Sequence, residues 1–141
     1  MIASGGRWAA VLRGGQCDAE SLAIDAPVAG QARALAGFTF TADRQRWGQF
    51  HARLSRTPRV GSSVIAIIGR KPFQLVVRGQ WAWSFGPAQE RALIDAVRSA
   101  DALHIQSRDG AGRRFTDRYS LAFAPTAIDA AAARCSMLAP G

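Results

Sequence analysis

Two histidines, two cysteines and a run of cations interleaved with aromatic rings are the side chains of this 141-residue sequence that could do chemistry. A histidine acts as general base only when a partner orients it, and a positioned carboxylate such as Asp117 could serve His51 or His104. No G-x-S-x-G elbow and no H-E-x-x-H helix accompanies them. His104 falls in an alternating segment opposite Leu103 and Ile105, where a surface histidine is expected. The expectation is a protein with no catalytic residues, and an enzyme without a recognisable motif is the second alternative.

Cys17 and Cys135 stand near opposite ends, with no C-x-x-C and no Cys/His cluster, so no metal site is expected. They are either two buried thiols or one long-range disulfide. The disulfide is the expectation, because it would tie the ends of a compact domain together, and it would imply an oxidising compartment such as the periplasm. Glycines are numerous, yet none forms a G-x-G-x-x-G or P-loop between a strand and a helix, so no cofactor is expected.

The cations are Arg44, Arg46, Arg53, Arg56, Arg59, Arg70 and Lys71, interleaved with Trp47 and Phe50. Phosphate partners mixed with stackable rings suit a polyanion such as nucleic acid. The net charge of +8 points the same way, but Lys71 is the only lysine among 18 basic residues. An arginine-for-lysine bias beside abundant alanine follows from GC-rich coding as readily as from binding. Trp81 and Trp83 share a strand face and could stack a base or a sugar ring, although such a pair more often belongs to the core. They are expected in the core.

The elements that must position these residues are mostly strands. Residues 37–41 alternate strictly, Phe38 and Phe40 on one face and Thr39 and Thr41 on the other. Residues 47–54 repeat the pattern less cleanly. Strands are also predicted over 7–13, 17–24 and 80–84, a central hairpin over 62–68 and 72–78, and another over 101–107 and 114–121. Gly86-Pro87 opens a helix whose apolar stripe is Leu93, Ala96, Val97 and Ala100. Thr126 is expected to cap a second helix, with Asp129 near its positive end and Arg134 near its negative end. The prediction is one domain over 1–141, an antiparallel β-sandwich or sandwich-like barrel with short helices at about 87–100 and 127–137.

Hydrophobic residues make up 48% and charged residues 20%, and no stretch is apolar for long enough to span a bilayer. The opening residues have neither a basic head nor an apolar leader segment, so the chain reads as cytoplasmic or as a mature form whose leader has been exchanged for a methionine.

Several features of the C-terminal half come together in one pattern. They are a helix over 90–100, a hydrophobic strand over 102–108, a turn carrying Asp109, Ala111, Gly112 and Arg113, and a return strand to Ser120-Leu121 followed by Phe123 and a short helix. Near the start, Trp8 precedes Cys17-Asp18. In these respects the chain resembles the invasion-associated locus B family of secreted or periplasmic proteins of Gram-negative bacteria. The family often carries further cysteines in the opening segment and mid-chain, which this chain lacks, leaving only the terminal pair. The resemblance implies a sandwich-like fold, an envelope location, no known enzymatic activity and a role in host or envelope interaction. The first reading is therefore a non-enzymatic periplasmic or secreted domain acting on an envelope or protein partner. A cytoplasmic, arginine-rich module for nucleic acid or another polyanion is the alternative. The partner and the oligomeric state are not read from the sequence.

Overall fold

A computed structural model describes residues 1–5, 7–27 and 29–139; the extreme residues Pro140 and Gly141 of the expected domain lie outside it. In chain order the elements are β1 (Ala3–Gly5), β2 (Trp8–Arg13), β3 (Gln16–Leu22), β4 (Leu35–Thr41), β5 (Trp47–Arg53), β6 (Val64–Ile68), β7 (Lys71–Arg78), β8 (Trp81–Trp83), α1 (Pro87–Arg98), β9 (Ala102–Arg108), β10 (Arg114–Ser120) and α2 (Ala124–Ser136). The fold is mainly β, with two helices. Both predicted hairpins form: Ile68 pairs with Lys71 across a two-residue turn, and Arg108 pairs with Arg114.

All ten strands join one antiparallel sheet in the order β1-β2-β3-β4-β5-β8-β7-β6-β9-β10. Strand β7 changes partners along its length. Residues 71–75 bond to β6, whereas 76–78 bond to β8. The sheet therefore turns at β7 and rolls until its two ends approach. The Trp8 indole N–H donates to the Ser120 carbonyl at 2.7 Å, and Ile24 N–H donates to the Arg118 carbonyl at 2.8 Å. Strand β10 is not paired with β1, so the sheet is not a closed barrel.

The irregular 47–54 segment has a local cause. Thr39 pairs with Gln49 but Phe40 pairs with Trp47, so Gly48 is an extra residue on β5. Its φ of +83° is the left-handed geometry that a bulge of this kind assigns to glycine. The bulge restores phase, so that Phe50 and Ala52 face the core while Gln49, His51 and Arg53 face outward.

Both helices cover the inner face, α2 across β1 to β5 and α1 against β5, β6 and β7. Small residues set their close approach. Ala127, Ala131 and Ile128 of α2 are buried among Ala10, Ala19 and Ala36, while α1 contributes Leu93, Ala96 and Val97. The Cys17–Cys135 disulfide forms, joining β3 to the last turn of α2 across 118 residues. Helix α2 starts earlier than expected: Pro125 fits the first turn, the preceding Phe123 adopts left-handed backbone, and no side chain caps the helix. Thr126 is therefore inside the helix rather than its cap. Asp129 accepts from the Arg98 guanidinium of α1 at 2.7 Å, which ties the two helices together.

Asp117 points inward from β10. Only 1% exposed, it accepts the Ser55 N–H at 2.9 Å and lies beside the buried Tyr119 ring, on the core side of the sheet. Burial pushes both the Asp117 carboxyl and the Tyr119 hydroxyl above their usual ranges. A raised carboxyl means that the folded state binds the proton more tightly than the unfolded chain, so this group favours folding at low pH. That contribution is lost as pH rises from 3.8 through the folded value. Asp117→Asn keeps an acceptor for Ser55 and removes the buried charge. Its melting temperature should match the wild type in acid and exceed it increasingly as pH rises to neutrality; a variant less stable than wild type at neutral pH would contradict this account.

Candidate functional site

The outward residues of β3, β4, β5 and β8 line an open cleft of about 740 Å³. Register builds it in rows. Asp18, Thr39 and Gln49 lie side by side across three strands. Glu20, Gly37, His51 and Trp83 form the adjacent row, and Leu35, Arg53 and Trp81 the next. Arg13 and Arg46 close the cleft from the neighbouring hairpin ends.

Gly37 is the floor. A Cβ there would come 2.7 Å from the Ala19 carbonyl oxygen and 3.0 Å from His51 Nε2, so the imidazole occupies the space that a side chain would fill. His51 is held from its other nitrogen. The Thr39 hydroxyl donates to Asp18 Oδ1 at 2.6 Å and lies 3.2 Å from His51 Nδ1. With its single proton committed to the carboxylate, this hydroxyl accepts from Nδ1–H, which leaves Nε2 with the lone pair. Burial lowers the His51 pKa, with the Asp18 and Glu20 charges opposing and those of Arg46 and Arg13 assisting. The ring is therefore neutral at neutral pH, with its acceptor nitrogen toward the cleft.

Asp18 also accepts from the Gln16 amide at 2.9 Å and from Arg13 at 3.2 Å, and the same guanidinium donates to Glu20 at 2.7 Å. Opposite this charged wall stand Trp81 and Trp83. Their rings lie 17° from parallel with centroids 6.5 Å apart, and His51 is tilted beside Trp81 at 6.4 Å. The Arg53 guanidinium sits 5.9 Å from the Trp81 ring centre.

These positions correct the expectation of a tryptophan core. Ala82, fully buried between the two indoles, is the inward residue of β8, and Trp81 remains 37% exposed. The proposed pairing of His51 or His104 with Asp117 is also overturned. His51 and Asp117 lie on opposite faces of the sheet, and His104, across from Arg118 on the outer face of β9, is likewise separated from the inward Asp117. Asp18 and Thr39 are the partners that sequence reasoning missed; they lie 21 residues apart and meet only through strand register.

The arginine set does not assemble as one surface. Arg46 and Arg53 reach the cleft, but Arg53 also donates to the Arg33 carbonyl at 2.8 Å. Arg44 donates to the Cys135 and Ser136 carbonyls at 2.9 and 3.0 Å, capping the C-terminal end of α2, and stacks on Trp47. Arg56 and Arg59 adjoin the β9–β10 turn, through Asp109 and the Arg108 carbonyl respectively. Arg70 and Lys71 lie at the β6–β7 turn, where Gly69 bonds to Ala102 at the opposite end of β9. A seven-residue strand, about 20 Å long, separates those two groups. Among the described residues, no cluster of His, Cys, Asp and Glu could hold a metal ion, and no helix is long and apolar enough to cross a membrane.

Comparison of the chain with family models, curated proteins and solved structures found no match.

Proposed function

We propose that this chain is a non-enzymatic binding domain of an oxidising compartment, periplasmic or secreted, that holds an envelope component in the cleft over β3, β4, β5 and β8. The Cys17–Cys135 bond carries the assignment of compartment, because cytoplasmic thiols are kept reduced. The cleft supplies the means of binding. Two indoles and a neutral histidine on the outer face serve no core, and Asp18, Glu20 and Arg13 beside them are already paired in fixed geometry, which suits recognition more than turnover. In this reading the rolled sheet, divided at β7, is a sandwich-like form related to the invasion-associated locus B proteins.

The cytoplasmic polyanion module is the weaker reading, because it requires the dispersed arginines to act together and fits reduced thiols better than a disulfide. The test is the heat of binding when the oxidised protein is titrated with an envelope extract of its native cell. Wild type should respond, and a Trp81→Ala/Trp83→Ala variant of unchanged melting temperature should not. Equal responses from both proteins, or none from either, would overturn binding at the cleft.

A further inference from the structure

We infer that the ligand of this cleft is an uncharged saccharide, its ring stacked on the exposed Trp81 indole and its hydroxyls bonded to the polar wall formed by Glu20, His51 and Gln49. This rests on the proposed use of the cleft for binding and specifies the ligand chemistry.

The lining itself selects that chemistry. Arg13, Arg46 and Arg53 face the cleft together with Asp18 and Glu20, so a polyanion meets two carboxylates and an organic cation meets three guanidiniums. A neutral ligand avoids both penalties. Such a ligand must also satisfy acceptors and donors set side by side: Glu20 and His51 Nε2 accept, whereas the guanidiniums and the Gln49 amide donate. The hydroxyl group is the neutral function that donates and accepts at one atom, and neighbouring strands place their side chains about 5 Å apart. A ring bearing several hydroxyls matches that array.

Its C–H face then requires an apolar, electron-rich surface, which Trp81 presents, backed by the nearly parallel Trp83. A flat aromatic ligand would use the indole but would leave the Gln49 amide and His51 Nε2 desolvated without partners, at a cost in affinity. His51 is fixed for its role by Gly37 beneath it and Thr39 behind it, so the acceptor is in place before the ligand arrives.

The experiment uses the oxidised full chain and the same envelope extract, before and after periodate, which cleaves vicinal diols, together with an array of neutral and acidic glycans. The expected result is that periodate abolishes the heat of binding and that neutral glycans on the array bind. Trp81→Ala should weaken array binding roughly 30-fold, and Trp81→Phe, which keeps a stacking face, should recover most of it. A response that survives periodate but is lost in Trp81→Ala would overturn the saccharide while leaving the cleft as a binding site. Binding confined to acidic glycans would overturn the uncharged class. No response to extract or array would overturn both this inference and the function it rests on.

Discussion

Replacing Cys17 and Cys135 together by Ala should destabilise the protein by about 5 kcal/mol and lower its melting temperature by roughly 15 °C. The magnitude follows from the 118-residue separation: an unfolded chain closed into so long a loop loses much of its conformational freedom, and opening it returns that entropy to the unfolded state. The native contacts around the bond should persist. Cys17 and Cys135 are fully buried, and Arg44 independently fastens the end of α2 through the Cys135 and Ser136 carbonyls. The double variant should therefore fold to the same structure with a lower denaturant midpoint, and mild reductant should shift the wild type to match it. A midpoint within error of the oxidised protein would show that the bond contributes nothing to stability.

Phe38→Ala should cost about 4 kcal/mol, by removing a fully buried ring from the middle of the sheet. The surrounding structure is poorly able to collapse into the gap. Trp8, its ring centroid 6.5 Å away, is pinned by its indole N–H to Ser120, and Phe50, at 5.1 Å, is carried by the strand paired on the other side. The opposing residue of β3 is Ala19, too small to reach across. Equilibrium urea unfolding should show a lower midpoint with an unchanged slope. A loss below about 1 kcal/mol would mean that the Trp8–Phe38–Phe50 cluster repacks freely, contrary to the rigid core described here.

The parts of the fold that were legible in the sequence are those set by short-range physics. Strict alternation placed Phe38 and Phe40 opposite Thr39 and Thr41, and turn glycines bounded both hairpins. The stripe at Leu93, Ala96 and Val97 marked α1. Alternation divides a strand into two faces but does not say which one is buried, and here the usual guide misled. On β8 the inner layer is Ala52 facing Ala82 in register, both methyl groups wholly buried, so the indoles stand outside. Periodicity also failed where Gly48 inserts a bulge, because the pattern there changes phase.

The site was less legible still. Asp18, Thr39 and His51 come from three strands and meet through pairing registers that no local signal specifies. Conversely, the arginines between 44 and 71 look like one band because they are close in sequence, but strands carry them to different ends of the sheet. Only Arg46 and Arg53 of that set reach the cleft. The cysteine pair, expected as a bond tying the ends of the domain rather than as two buried thiols, forms because α2 delivers Cys135 directly onto β3.

The measurement that tests the central claim most directly is the mass and thiol count of protein isolated from its native cell under denaturing, non-reducing conditions. The account of a binding domain in an oxidising compartment predicts a mass two hydrogens below that of the dithiol, with no thiol reactive toward alkylation. Two alkylated cysteines would contradict that account and move the polyanion-binding reading to first place.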